Sequence, residues 1–316
     1  MSASASPGGK TVSVIGSGLI GCSWAMVFLS AGYKVKLYDS QPGQAARAIR
    51  DMRRKLEELQ QNQMLRGDLN VEEQLALLSS YDDLSEALKG TFFVQECVFE
   101  ELEAKQSVFH VVENCVGEDV ILSSSTSCLL PSNVFSRVQN KKRCIVSHPV
   151  NPPYYVRLVE LVPHPETLPA VMEQTYALMT EVGQTPVRLT KEIDGFALNR
   201  VQYAIIAESW RLVKDGIISV EDIDLVMSEG LGMRYAFIGP METMHLNAPD
   251  GLEDYLSRYK DGMQRVLSSF GPVPEFSGNE AKVINQEMCN FISKDQLSSR
   301  RARRDQLLMG LAKLKK

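Results

Sequence analysis

The chain has no C-x-x-C pair, and its six cysteines are scattered at positions 22, 97, 115, 128, 144 and 289. That spacing offers no zinc ribbon and no disulfide framework. Reduced thiols buried in apolar runs of a cytoplasmic protein are the expectation, with no metal. No apolar run reaches the ~20 residues that cross a bilayer. The opening Met1-Ser-Ala-Ser-Ala-Ser-Pro-Gly-Gly-Lys10 lacks both the basic and the apolar stretches of a secretory leader, so none is expected. Charge is also near balance, with 34 basic against 39 acidic residues and a net of −5. Such a chain has no global pull toward nucleic acid or an anionic membrane. Histidine is scarce, with four in 316 residues, which narrows the search for a general base. What remains is an ordinary globular composition, 44% hydrophobic and 23% charged, long enough for two domains.

Residues 1–10 read as a flexible polar tail. Thr11–Gly16 reads as a buried strand, followed by a glycine-rich turn and an apolar helix to about Ala31. Lys34–Asp39 alternates like a second strand. This βαβ unit implies a parallel sheet with right-handed crossovers. Residues 43–64 predict a long charged helix. Its cations Arg47, Arg50, Arg53, Arg54 and Lys55 form either a solvated face or a phosphate-binding one. Further strands are expected at 91–95, 119–123, 143–147 and 157–162, with helices between several of them. After Thr190 the pattern turns helical and almost loses its strand signal. Asp194-Gly195 marks a boundary before a helix over 196–214. The expected fold is therefore α/β: a doubly wound sheet domain over 11–192 and an all-helical domain over 193–316. The C-terminal Arg300, Arg301, Arg303 and Arg304 read as a solvated amphipathic helix, with a nuclear-localisation signal as the rival reading.

The turn Gly16-Ser17-Gly18-Leu19-Ile20-Gly21 follows a strand and opens a helix, and Asp39 ends the next strand. In that setting G-x-G-x-x-G is a dinucleotide fingerprint. Gly16 allows the tight turn, Gly18 lets the backbone approach a pyrophosphate, and Gly21 lets helix and strand pack closely. Leu19 and Ile20 stand at the helix N-terminus, where free N–H groups favour an anion. Asp39 accepts from ribose hydroxyls and repels a 2′-phosphate, which favours NAD over NADP.

Of the four histidines, His148 stands apart, because Ile145-Val-Ser-His148-Pro puts it at a strand end bordering the ligand crevice. Glu160, inside Leu158-Val-Glu-Leu-Val162, is a carboxylate in an apolar run that needs a partner. Pairing of the two strands across Asn151-Pro-Pro153 would bring it to His148, hold the tautomer and raise the basicity. Ser123–Ser127 follow another strand and either cap a helix or enter the site.

Gly16–Gly21, Ser125-Thr-Ser127, Ser147-His-Pro-Val-Asn-Pro152, Leu158-Val-Glu160 and Asp194-Gly-Phe-Ala-Leu-Asn-Arg200 occur in this order. Together they make the chain resemble the 3-hydroxyacyl-CoA dehydrogenase superfamily over roughly residues 10–300. The resemblance implies His148 as general base and Glu160 as its orienting partner. It implies Ser127 and Asn199 as hydrogen-bond partners of the substrate hydroxyl, and Glu100 and Lys105 as NAD contacts. It implies that the helical domain supplies Asn199, closes the crevice and joins two subunits into a homodimer through its apolar helices. After the histidine this chain has Pro149-Val-Asn-Pro152 where the acyl-CoA branch usually has Phe-Phe-Asn-Pro. That departure, with His148-Pro-Val-Asn-Pro-Pro-Tyr-Tyr155 and Arg234-Tyr-Ala-Phe-Ile-Gly-Pro240, resembles more narrowly a branch acting on a free 3-hydroxy acid. The implied reaction is NAD-dependent oxidation of L-gulonate to 3-dehydro-L-gulonate. Oxidation of a 3-hydroxyacyl-CoA thioester and a purely structural role are the rival readings. A free acid needs a cation for its carboxylate, and an arginine fork suits it. Arg234, in a Gly-rich stretch between helices, is the candidate, unless it only ties that loop down; Arg157 competes.

Overall fold

A computed structural model describes residues 9–315; the first eight residues of the expected tail lie outside the described residues. The opening βαβ unit is β1 (Thr11–Ile15), α1 (Leu19–Ser30) and β2 (Lys34–Tyr38). There follow α2 (Gln44–Gln61), α3 (Val71–Ala76), β3 (Leu78–Tyr81), α4 (Leu84–Leu88), β4 (Thr91–Glu96), α5 (Leu102–Cys115) and β5 (Ile121–Ser124). Next come α6 (Pro131–Val134), β6 (Cys144–Pro149), β7 (Leu158–Pro163), α7 (Pro169–Glu181) and β8 (Thr185–Arg188). The eight strands form one sheet in the order β3-β2-β1-β4-β5-β6-β7-β8. All neighbours run parallel except β6 and β7, which pair antiparallel. The first six strands of that order are those of a dinucleotide-binding doubly wound sheet.

Burial explains the layers. Along β4, Phe93 belongs to one apolar cluster with Val12, Trp24 and Phe28, and Val94 to a second with Ile15, Phe109 and Phe135. Successive side chains on a strand point to opposite faces, so both faces of the sheet are covered. In α2 the buried residues are Ala45, Ala48, Met52, Leu56 and Leu59, a stripe at helical spacing, with the charges on the other side. Asn70 and Glu73 form a reciprocal capping box at the start of α3, and Asp83 caps α4. The buried Arg66 guanidinium donates to the backbone carbonyls of Tyr154 and Val182 and to Gln184 Oε1. It thereby ties the segment before α3 to the connection between β6 and β7.

Two strands escaped the sequence reading, β3 and β8. Both lie at the sheet's edges and carry mostly exposed or half-exposed residues, Leu-Ser-Ser-Tyr and Thr-Pro-Val-Arg, which leave no apolar run to detect.

The chain divides into two compact units, one running to Arg200 and including Leu307–Leu314, the other Val201–Gln306. The first unit thus extends past the expected 192/193 boundary. Helices continue with α8 (Leu198–Lys214) and α9 (Val220–Leu225). A π-helical turn over Val226–Leu231 leads directly into α10 (Gly232–Tyr235). After it come α11 (Pro240–Leu246), α12 (Leu252–Ser268), α13 (Gly278–Phe291) and α14 (Leu297–Leu314). The stretch 230–240, expected to be irregular, is helical as far as Tyr235, Arg234 included, and becomes a turn only at 236–239; Gly232 N–H bonds Met227 O within it. The basic C-terminal segment lies on α14, and its four arginines are exposed. Among the described residues no helix is long and apolar enough to cross a membrane.

The second unit buries little. Among its described hydrophobic residues only Val220 and Ala248 are fully buried, while Val201, Tyr203, Met233, Phe237, Met241 and Leu267 are exposed.

The sheet unit's rigidity rests on an aromatic cluster in which the Phe28 ring meets Trp24, Tyr33 and Phe93 at centroid distances of 5.6, 6.3 and 6.2 Å. Phe28→Ala is expected to lower unfolding stability by about 3–5 kcal/mol, read from the urea midpoint.

Candidate active site

The parallel strands point their carboxyl ends to one side of the sheet, and the functional groups gather there. Gly16 ends β1 with φ +96°, and a Cβ on it would meet Cys97 O at 2.6 Å. A Cβ on Gly21 would meet Gly16 O at 1.8 Å, which is why helix and turn pack so closely here. No side chain caps α1, so the first N–H groups of that helix, from Leu19 and Ile20 onward, have no side-chain acceptor. Leu19 is exposed beside them. Asp39 Oδ2 accepts from Ser17 N–H at 2.9 Å and from the Ser17 hydroxyl at 2.6 Å, and Oδ1 accepts from Gln41 N–H at 3.0 Å. Burial works to raise the Asp39 pKa; these hydrogen bonds and the nearby Arg47 charge outweigh it and hold the carboxyl below its ordinary value. The ionised Asp39 thus braces the glycine turn and keeps lone pairs for ribose hydroxyls. Uncapped N–H groups, a turn stripped of Cβ atoms and an ionised acceptor at the end of β2 together fit a dinucleotide.

The antiparallel register of β6 and β7 sets His148 directly opposite Glu160. His148 Nδ1 lies 2.7 Å from Glu160 Oε2, with the histidine 5% and the glutamate 1% exposed. Glu160 Oε1 accepts from the Ala197 and Leu198 N–H groups, each at 2.8 Å. Burial pushes the Glu160 pKa up, but the His148 hydrogen bond and the two backbone donors overcome it, so the carboxyl stays below the usual glutamate range. With Nδ1 held by a carboxylate, the imidazole presents Nε2 as its basic atom. Phe196, fully buried at φ +51°, sets its ring 5.6 Å from the His148 ring. A left-handed phenylalanine is strained, and here the strain aims the next two N–H groups at Glu160.

Ser127 follows β5 and is gripped from two sides. Glu100 Oε1 accepts from its N–H at 2.7 Å and its hydroxyl at 3.1 Å, and Asn199 Nδ2 donates to its carbonyl at 2.7 Å. Glu100 also accepts from the Thr126 hydroxyl at 2.5 Å. Burial opposes ionisation of Glu100; the Thr126 bond, the Lys105 charge and the Ser127 N–H lower its pKa nonetheless. Lys105 is 1% exposed, with its ammonium 2.9 Å from Glu96 and 3.2 Å from Glu100. Lysine on a charged helix ordinarily lies in solvent; this one is enclosed.

His148, Glu160, Ser127, Asn199, Glu100 and Lys105 therefore lie in one unit with the Gly16–Gly21 turn and Asp39. Asn199, expected from the helical domain, falls within the sheet unit. Arg157 is half-buried in the same unit just before β7, whereas Arg234 is exposed on α10 of the helical unit. Sequence reasoning missed Glu96, Phe196 and the N–H groups of Ala197 and Leu198. Backbone donors leave no residue-type signal, and only a buried glutamate at the end of an apolar strand could have flagged Glu96. Among the described residues no group of three His, Cys, Asp or Glu side chains could hold a metal ion. The six cysteines are free; Cys144 is buried, but Cys115 and Cys128 are exposed, contrary to the expectation of buried thiols.

The chain that carries this turn and this buried pair matches a known family. The 3-hydroxyacyl-CoA dehydrogenase NAD-binding domain matches residues 11–193, and the C-terminal domain of the same family matches residues 195–283. The chain belongs to this family, and its cofactor is NAD. At closer range it is 58% identical to the lambda-crystallin homolog of Rattus norvegicus over 313 residues, 98% of either chain. It is 31% identical to the L-carnitine dehydrogenase of Oceanobacillus iheyensis, covering 83% of this chain and 81% of that one. Its fold is also that of FHMPC 5-dehydrogenase, an NAD+-dependent dismutase, at a TM-score of 0.83 and 23% identity, covering 97% and 98% of the two chains.

The depressed carboxyls carry a sign. A group whose folded pKa lies below its unfolded one adds stability above the unfolded value and loses it as pH falls through the folded one. Acid titration followed by circular dichroism should therefore show unfolding setting in below about pH 4. Glu160→Gln should be less stable at neutral pH, and its loss between neutral and acid should be smaller than that of the wild type.

Proposed function

We propose that this chain oxidises the 3-hydroxyl of a free hydroxy acid, with L-gulonate converted to 3-dehydro-L-gulonate. The observation that carries the chemistry is the buried His148–Glu160 pair at the carboxyl end of the sheet. NAD, when bound, accepts the hydride from the carbinol carbon. His148 Nε2 takes the hydroxyl proton as that hydride leaves, and Glu160 stabilises the imidazolium. Ser127 and Asn199 orient the substrate oxygen. A base so positioned contributes about 10²–10⁴-fold. An intact pair of this kind argues for catalysis and against a purely structural role.

One observation favours a free acid over a CoA thioester. The cations of α2, the candidate phosphate-binding face, are engaged by their own neighbours. Arg53 pairs with Glu72, Arg54 with Asp51, and Lys55 with Glu58 at 3.0 Å, while Arg47 bonds Gln44 at 3.1 Å. Arg234 remains our candidate for the substrate carboxylate, with Arg157 as the rival cation. Asp39 favours NAD over NADP.

The test is turnover of L-gulonate against a short 3-hydroxyacyl-CoA with NAD+. L-gulonate should give the higher kcat/KM, and His148→Gln should lose about 10²-fold or more in kcat while still binding NADH. A preference for the thioester would establish the acyl-CoA reading instead.

The same proposal includes a cytoplasmic homodimer. The helical unit exposes Val201, Tyr203, Met233, Phe237, Met241 and Leu267 and has almost no core of its own. A second copy of the same surface would bury them through an isologous contact. Light scattering at micromolar concentration should give twice the chain mass, and a paired Phe237→Glu and Met241→Glu change should shift it toward the monomer.

A further inference from the structure

We propose that Glu96 is a positioning residue for cofactor binding: by sharing the buried Lys105 ammonium with Glu100, it holds Glu100 as the acceptor that fixes Ser127. The inference rests on the reading of Glu100, Lys105 and Ser127 as site residues and adds the group that supports all three.

Glu96 ends β4 and is fully buried. Both its oxygens are engaged. Oε1 accepts from Val98 N–H at 2.7 Å and Lys105 Nζ at 2.9 Å, and Oε2 accepts from the Ser124 hydroxyl at 2.6 Å. Lys105 reaches in from α5 and also bonds Val98 O at 3.2 Å and Glu100 at 3.2 Å. From Glu100 the chain of contacts runs to Thr126, Ser127 and then Asn199. On Lys105 itself the end of β4 and the segment after it converge, through Glu96, Val98 and Glu100, and Glu100 carries the contact on to Thr126 and Ser127. Glu96 reaches the Ser127 segment by two routes, through Lys105 and Glu100 and through the Ser124 hydroxyl, which accepts from Thr126 N–H at 3.2 Å, and only the first depends on the charge of Lys105.

The charge count gives the mechanism. Among the described residues, the titratable groups facing the Lys105 ammonium are Glu96 from β4, Glu100 from the segment after it, and Cys97, whose thiol burial pushes well up and keeps neutral. Burial works against both charges: it pushes the Glu96 carboxyl above its ordinary value in spite of Lys105, the Ser124 hydroxyl and Val98 N–H, and at Lys105 it is overcome by the two carboxylates, which hold the ammonium pKa above the ordinary lysine value. Glu100 is partly exposed, so its attraction is screened more than that of Glu96. With Glu96 neutral, burial regains the upper hand and Lys105 loses its proton as pH rises. Glu100 then has no counter-charge and its grip on Ser127 loosens.

The experiment measures NADH affinity of the protein by fluorescence titration at about pH 7 and about pH 9.5, a readout that needs no knowledge of the hydroxy-acid substrate. The wild type should vary less than about twofold across this range, because its Lys105 stays charged. Glu96→Gln should weaken by about tenfold or more toward alkaline pH, and Glu96→Asp, which restores the charge, should return most of the flat profile. A Glu96→Gln profile parallel to that of the wild type overturns the proposal. If Glu96→Gln does not fold, a Glu96→Gln and Lys105→Met double variant removes both buried charges together. It should bind NADH more weakly than the wild type with no pH dependence of its own, and wild-type affinity in it overturns the proposal. Glu100→Gln separates the two levels of the argument: unchanged NADH affinity there removes Glu100 itself from the cofactor site.

Discussion

Burying the Glu160 carboxylate is the constraint from which the rest of the site follows. It sits in the middle of β7 with 1% exposure, between Val159 and Leu161. An ionised group there is tolerable only with partners on both oxygens. One partner comes from the antiparallel turn-back of β7 onto β6, which brings His148 opposite. The others come from the bend at Gly195-Phe196, which delivers two N–H groups at 2.8 Å. The requirement that makes the carboxylate stable therefore also fixes the histidine tautomer. Structural satisfaction and catalytic orientation are one set of hydrogen bonds.

The same logic recurs two strands away. Lys105 and Glu96 bring two charges into a nearly dry space at the carboxyl ends of β4 and β5, with the partly exposed Glu100 at its rim. The two carboxylates accept from backbone and hydroxyl donors of the surrounding segments, and the ammonium donates to Val98 O. The two charged clusters bracket Ser127: Glu100 holds its N–H and hydroxyl, while Asn199, just beyond the bend that serves Glu160, holds its carbonyl. Buried polar networks of this kind are costly when partly satisfied and rigid when complete. That rigidity suits a site in which a C–H bond must be aimed at a cofactor.

The two compact units divide the physical work unevenly. The sheet unit has clusters on both faces of its sheet and pairs the buried Lys105–Glu96 and His148–Glu160 groups. The helical unit leaves apolar side chains in the open along α8, α10, α11 and α12. An amphipathic helix gains stability mainly by covering its apolar face. That uncovered apolar surface is the reason association belongs to the proposed function.

Much of this was open to reading in the chain itself. The glycine turn was legible because Gly16, Gly18 and Gly21 answer to a local steric demand between a strand and a helix. Glu160 was legible because a carboxylate in Leu-Val-Glu-Leu-Val violates its surroundings, and His148 because it ends an apolar strand. The change to helical periodicity after Thr190 was equally local. The tertiary structure decided what depends on contacts distant in sequence. Edge strands β3 and β8 lack an apolar period because they are half solvated. Lys105 looks like any helix-surface lysine until β4 and β5 enclose it, and Glu96 gains its role only from that enclosure. Arg234 lies in helix although two glycines precede it, because neighbouring turns override glycine's weak preference. A sequence displays local periodicity and local cost; which distant charge relieves that cost is set by the folding of the chain onto itself.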